Sequence, residues 1–259
     1  TEGEEKLMHT VSELATHNPE FFSVTYGAGG STQAGTFNAV ANIRAQGFEA
    51  APHLSCVGAT RANTLNILDE LKAQGVNRIV ALRGDLPSGM GGMGELAHAS
   101  DLVALIREHS GDWFHISVAA YPEYHPQART PQDDLKHFVN KMQAGANTAI
   151  TQYFYNADAY ARFVEDVRAK GVNAPIIPGI MPITNYSRLA RFSETCGAEI
   201  PRWVLLKLAS FGDDAESIKA FGQEVVAQLC ERLVQLSAPS LHFYTLNQAE
   251  PSLGVLKSL

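Results

Sequence analysis

The chain's 259 residues are 45% hydrophobic and 18% charged, with 21 Gly and 12 Pro, a makeup that excludes disorder, collagen and coiled coil. Twenty basic residues against 27 acidic ones give a net charge of −7, and Lys and Arg are scattered singly, which argues against a nucleic-acid partner. No uncharged apolar run approaches the roughly 20 residues that span a bilayer, and the acidic start TEGEEKL is unlike a signal peptide. Cys56, Cys196 and Cys230 are odd in number and far apart, the pattern of reduced, packed thiols in a cytoplasmic protein and not of a disulfide framework or zinc site.

Along the chain, a helix is expected over Glu4 to Thr16, with Leu7, Val11 and Leu14 on one face. Seven short apolar, mostly β-branched runs then follow at 21–26, 50–56, 78–82, 115–120, 148–154, 175–180 and 240–246, and they read as buried parallel strands. Stretches of 3.6-residue periodicity lie between them, such as Ala62 to Gln74 before Gly75 and Asp158 to Lys170 before Gly171, which are helices closed by glycine. Further helices are expected at Tyr186 to Phe192 and Asp214 to Leu236 before the last strand. This strict alternation predicts an α/β fold, a (β/α)8 TIM barrel spanning 1–259 as one domain. A helix in the opening position ordinarily follows a strand, so the first strand is expected to be missing from the sequence. The expectation is thus a shortened chain and not a natural seven-stranded fold, whose end strands would carry unpaired edges.

In such a barrel, polar residues at the C-terminal ends of strands build the site. That rule selects Thr25 and Tyr26, His53, Arg83 with Gly84 and Asp85, Tyr121 with Glu123 and His125, Gln152, and Tyr244 with Asn247. The GAGGST run after Tyr26 reads equally as a plain glycine turn or as a cradle for a ring or phosphate. Arg83 and Asp85 flank a glycine directly after a buried strand, where unpaired charge is costly. Tyr121 and His125, held among prolines, suit stacking on a flat ligand. Gln152 is a neutral donor and acceptor able to read an amide or pterin edge. His53 has no second histidine at ligand spacing, so no metal site is expected. None of the eight lysines ends a strand, which disfavours Schiff-base chemistry. The remaining inventory, neutral polar groups and aromatics with one Asp, suits a planar organic cofactor that performs a redox step.

The motifs VTYGAGGST, APHLSC, VALRGDLP, ISVAAYPEYHP, AITQYFY, IIPGIMPI and LHFYTLN, in this order and over essentially the whole chain, resemble the single-domain bacterial, flavin-dependent methylenetetrahydrofolate reductases. The resemblance implies a barrel carrying FAD. In a ping-pong reaction, NADH or NADPH would reduce the flavin and leave before 5,10-methylenetetrahydrofolate binds and becomes 5-methyltetrahydrofolate. It further implies that Thr25, Tyr26, His53, Arg83, Gly84, Asp85, Ala99, Tyr121, His125, Ala128, Asp134, His137 and Lys141 surround FAD. Asp85 would also lie beside the folate, where its charge favours the cationic iminium form of the substrate. Gln152 would hold the pterin, Phe192 would stack alternately on nicotinamide or folate, and Tyr244 and Gln248 would complete the folate contacts. A homo-oligomer is expected from the family.

The sequence departs from the family pattern at three places. The general-acid Glu of a FEFFPP-like first strand has no counterpart, His137 and Asn140 stand where family members carry Asn and Arg, and Gln248 replaces a folate-contacting Arg. These departures keep open a flavin- and folate-binding protein without full turnover, because the proton that opens the five-membered ring would lack its donor. A cofactor-free barrel lyase is a third reading.

Overall fold

In the computed structural model, residues 2–26, 33–84 and 94–259 are described, apart from the side chain of residue 33. The elements run α1 (Glu2–Ala15), β1 (Phe22–Val24), α2 (Gln33–Ala45), β2 (Ala50–Ser55), α3 (Arg61–Ala73), β3 (Arg78–Leu82), α4 (Ala99–Ser110), β4 (His115–Ala120) and α5 (Pro131–Gln143). They continue with β5 (Thr148–Tyr153), α6 (Ala157–Ala169), β6 (Ile176–Ile180), α7 (Tyr186–Cys196), α8 (Arg202–Ser210), α9 (Ala215–Gln235), β7 (His242–Phe243) and α10 (Glu250–Lys257). The strands follow one another in sheet order from β1 to β7, with parallel registers such as Ser23 beside Ala51, His53 beside Val80, Ile79 beside Ile116 and Gly179 beside His242. Alternating helices and parallel strands in sequential order are the organisation of a (β/α)8 barrel.

The chain forms two compact units, one of Thr1–Ala119 with His137–Ala149 and one of Ala120–Lys136 with Ile150–Leu259. In the first, β3 and β4 bury Ile79, Ala81, Ile116 and Val118 among Ile43, Leu68, Leu102 and Ile106 from the helices. Sides this apolar on both faces are what a parallel strand between helices requires. Thr60 caps α3 by accepting from the Asn63 N–H at 3.1 Å, and Gly75 leaves the helix at φ +73°, where a side chain would be strained.

The strand starts of this unit carry a polar cluster that satisfies itself. The Arg107 guanidinium donates to the carbonyls of Gly145, Gly111 and Phe114 at 2.9, 3.0 and 2.8 Å, and to the Asn147 side chain. Asn147 Oδ1 also accepts from the Ile116 N–H. Arg78 pairs with Glu20, and His115 and Ser117 both contact the Thr148 hydroxyl, at 3.1 and 2.8 Å. Asn77, Arg78, Asp112, Trp113, Phe114, His115 and Asn147 line a shallow cavity of about 230 Å³ there.

The second unit is built on Phe154, Phe163, Val167, Ile176, Ile180, Val204, Val226 and Leu233. Asn156 and Asp214 cap α6 and α9 by accepting from the N–H groups of Asp158 and Ser217. In α9, a Cβ on Gly222 would run into Ile183, so only glycine lets the helix approach that closely. The expected elements are found with shifts of one or two residues at most helix ends. α7 runs on to Cys196, because a left-handed Gly197 (φ +74°) and not Phe192 terminates it. β7 keeps only two residues of the expected seven. After Tyr244 donates its N–H to the Ile180 carbonyl, Leu246 and Asn247 turn left-handed at φ +50° and +58°, and the strand cannot continue. Cys56 and Cys230 are buried with thiols pushed up by burial to about 11 and about 12, Cys196 is half-buried, and all three are free.

Candidate active site

Within the first unit, Thr25 and Tyr26 follow β1 and Arg83 and Gly84 follow β3, at C-terminal strand ends where barrels build their sites, while His53 lies on β2 two residues before its end. The Thr25 carbonyl accepts from the Thr36 hydroxyl at 2.9 Å, which ties α2 to this end of β1. The ends of β2 and β3 interlock as the Ser55 hydroxyl and the Val57 N–H both donate to the Arg83 carbonyl at 2.9 Å. Gly84 sits at φ +87°, and a Cβ there would collide with Ser55. The Arg83 side chain is half-buried, with Nε 3.3 Å from the Gly84 carbonyl. Asp85 and the glycine run at 27–30 lie outside the described residues.

Ala99 is the first residue of α4, after His98. His98 and His137 stack with centroids 5.7 Å apart and an interplanar angle of 13°. Lys141, one turn beyond His137 on α5, donates to the Ala119 carbonyl near the end of β4, so its charge sits at a strand end although no lysine ends a strand in sequence. His98 was not expected to contribute, because a helix cap carries no periodic signal that would single it out.

The second unit holds the remaining candidates. After β4 the chain turns at Tyr121–Tyr124, where Tyr124 takes φ +77° and donates its N–H to the Tyr121 carbonyl at 3.2 Å. The Tyr121 and His125 rings meet edge-to-face at 4.6 Å. The His125 N–H donates to the Asp134 carboxylate at 3.0 Å, and His125 Nδ1 accepts from the Gln127 N–H at 3.0 Å, so a neutral ring carries its proton on Nε2. The Ala128 N–H closes the same turn onto the His125 carbonyl. Glu123 accepts from the Glu199 N–H at 2.9 Å, and burial raises its carboxyl above the usual range despite that bond.

Gln152, half-buried at the end of β5, accepts from the Tyr153 N–H through Oε1 at 3.0 Å. Around it stands a group of phenols. Tyr244 donates to the Thr151 carbonyl at 2.7 Å, and its ring edge meets Tyr153 at 6.4 Å. Tyr155 donates to the Met181 carbonyl at 3.2 Å, and the Tyr153 hydroxyl lies 2.9 Å from the Ser193 hydroxyl. Burial raises the phenols of Tyr153, Tyr155 and Tyr244, so all three stay protonated at neutral pH. Gly179 completes the packing, since a Cβ there would strike the Thr151 carbonyl and the Tyr244 ring. Phe192 is 42% exposed on α7, and Gln248 is exposed beyond the left-handed turn. Tyr153 and Ser193 escaped the sequence reading because both are buried, although the aromatic run YFY after Gln152 was a visible signal.

Each unit therefore gathers its own candidates at the carboxyl ends of parallel strands, and the chain belongs to the barrel proteins whose sites are built on strand ends. Among the described residues no three His, Cys, Asp or Glu side chains could hold a metal, and no helix is long and apolar enough to cross a membrane. Residues 1–259 match the family model described as methylenetetrahydrofolate reductase. The chain is 39% identical to 5,10-methylenetetrahydrofolate reductase of Escherichia coli over 260 residues, covering all of this chain and 86% of that protein. It is 37% identical to a probable methylenetetrahydrofolate reductase (NADH) of Oryza sativa, covering all of this chain and 46% of that longer protein. Among solved structures, an uncharacterized Clostridium thermocellum protein that binds two copies of 5-methyl-5,6,7,8-tetrahydrofolic acid aligns with a TM-score of 0.66 at 16% identity, over 98% of this chain and 87% of that one. A 2,3-dimethylmalate lyase aligns at 0.55 with 8% identity, over 96% and 75%; both share the fold. The chain belongs to the methylenetetrahydrofolate reductase family.

Proposed function

We propose that this protein reduces 5,10-methylenetetrahydrofolate to 5-methyltetrahydrofolate with NADH or NADPH, using FAD in a ping-pong reaction, and that it works as a cytoplasmic homo-oligomer. The observation that carries the reading is the grouping of neutral donors and aromatic rings at strand ends, on a chain that matches the reductase family throughout. The donor chemistry fits a dinucleotide: Arg83 and Lys141 are cationic against a diphosphate, His125 offers Nε2–H, and Tyr121 offers a ring held edge-on by His125. The only described carboxylate of the set, Asp134, is engaged by the His125 N–H.

The residues that the family resemblance assigns to FAD are Thr25, Tyr26, His53, Arg83, Gly84, Asp85, Ala99, Tyr121, His125, Ala128, Asp134, His137 and Lys141. FAD, when bound, would supply the two-electron chemistry that links the nicotinamide to the folate. Asp85 favours the iminium cation of the substrate by its negative charge. Gln152 hydrogen-bonds the pterin, Phe192 stacks on whichever ligand is bound, and Tyr244 and Gln248 border the folate.

Purified protein loaded with FAD tests the reading. It should oxidise a reduced nicotinamide with a quinone acceptor and convert methylenetetrahydrofolate to the methyl form. Asp85→Asn should slow the folate reaction at least tenfold more than the quinone reaction. Protein unable to take up FAD, or a wild-type chain that oxidises nicotinamide but leaves the folate unchanged, would overturn the assignment.

A further inference from the structure

Two residues assigned above to substrate each stand next in sequence to a member of one buried contact. Gln152 precedes Tyr153 at the end of β5, and Phe192 precedes Ser193 on α7. Tyr153 and Ser193 are 4% and 6% exposed, and their hydroxyls lie 2.9 Å apart, with the Cys196 thiol 3.5 Å from the same phenol oxygen. Leu189 and Ser193 form the buried stripe of α7, one turn apart, so a hydroxyl occupies a place where packing alone would favour an apolar side chain. A buried hydroxyl without a partner is destabilising; Tyr153 is the partner that satisfies it. The Tyr153 ring is fixed in turn by edge contacts with Tyr155 and Tyr244 at 5.9 and 6.4 Å, and Tyr244 is fixed on the Thr151 carbonyl.

We infer that the Tyr153–Ser193 hydrogen bond is a positioning device that sets the azimuth and height of α7, and with it the placement of the exposed Phe192 ring relative to Gln152. The inference rests on the proposed function for the identity of the ligands. Neither Tyr153 nor Ser193 touches the reacting atoms. Their effect passes through Phe192, so it should appear in binding and not in the chemical step.

The test uses the FAD-loaded full chain. Tyr153→Phe and Ser193→Ala should each raise KM for both the reduced nicotinamide and methylenetetrahydrofolate by three- to tenfold, with kcat within twofold of wild type. Phe192→Ala should raise both KM values to a similar extent, and Tyr153→Phe added to Phe192→Ala should change them no further, because the ring being positioned is gone. Ser193→Ala leaves the buried Tyr153 phenol with the Cys196 thiol as a neighbour, and the double variant Tyr153→Phe/Ser193→Ala leaves neither hydroxyl behind, so it carries the test even if Tyr153→Phe alone folds poorly. Unchanged KM values, or a Tyr153→Phe effect that persists in full on the Phe192→Ala background, would overturn the inference. Direct titration with 5-methyltetrahydrofolate separates it from the functional assignment. A wild-type chain that binds this folate without turning over its precursor sinks the assignment alone, and the same three- to tenfold loss in Kd then upholds the positioning role. A wild-type chain that does not bind it sinks both.

Discussion

The strand starts of the first unit and the strand ends of the second use similar polar residues to opposite effect. At the starts of β3, β4 and β5, arginine, histidine and asparagine side chains turn to one another and to loop carbonyls, so that Arg107 alone serves three carbonyls and one amide. At the ends of β5, β6 and β7 the hydroxyls of Tyr153, Tyr155 and Tyr244 likewise find partners in the protein, but Gln152 is half-buried and Phe192 exposed. One cluster closes upon itself and joins loops; the other forms a firm floor with groups left at its rim. Residue type therefore says little about role until the end of the strand is known, which is the division of labour expected of parallel barrels.

The largest effect that would break this comparison is at Gly179. Gly179→Ala should destabilise the chain by about 3 kcal/mol or more, because the new methyl meets a strand carbonyl and an aromatic ring that cannot both yield. Urea unfolding measures this, and folate affinity should fall in parallel because the phenol floor shifts. Next is Arg107→Ala, expected to cost roughly 2–3 kcal/mol by stripping several carbonyls of a donor while kcat and KM stay within twofold. A stability loss accompanied by a tenfold change in KM would erase the contrast between the two clusters.

A smaller effect concerns pH. Burial lowers His242 from 6.5 to about 4 and lowers His115 as well, so the unfolded chain takes up these protons before the folded one. Stability is therefore unaffected above pH 6.5 and lost as the pH falls from there toward 4. At about 1.4 kcal/mol per pKa unit, discounted for partial exposure, His242 should account for roughly 1–2 kcal/mol at pH 5. Urea midpoints at pH 7 and pH 5 should lie closer together in His242→Gln than in wild type. The smallest effect is at the exposed Arg61–Glu108 pair, 3.3 Å apart with side chains 51% and 73% exposed. Glu108→Gln should change stability by less than about 0.5 kcal/mol.

The strand runs and the glycine stops after α3 and α6 were legible because burial on both faces leaves a continuous apolar signature and because left-handed helix ends favour glycine. The extent of β7 was not, since LHFYTL is apolar throughout and only the backbone turn at Leu246 and Asn247 shows where pairing ends. The residues at strand ends were legible as a set, yet their hydrogen bonds were not: nothing in HFYTLN shows that Tyr244 donates to Thr151, ninety-three positions away. Lys141 reaches the end of β4 from a helix, which no strand-based rule can anticipate, and His98 stacks on His137 of the same helix.

The bond between the Gln152 carboxamide oxygen and the following N–H gives this side chain a fixed polarity. One of that oxygen's two lone pairs is taken, and the orientation of the NH2 group is set with it. Under the proposed function, a ring edge that offers a lone pair to this NH2 group gains a hydrogen bond at the tip of β5, and a glutamate in the same place would remove the donor.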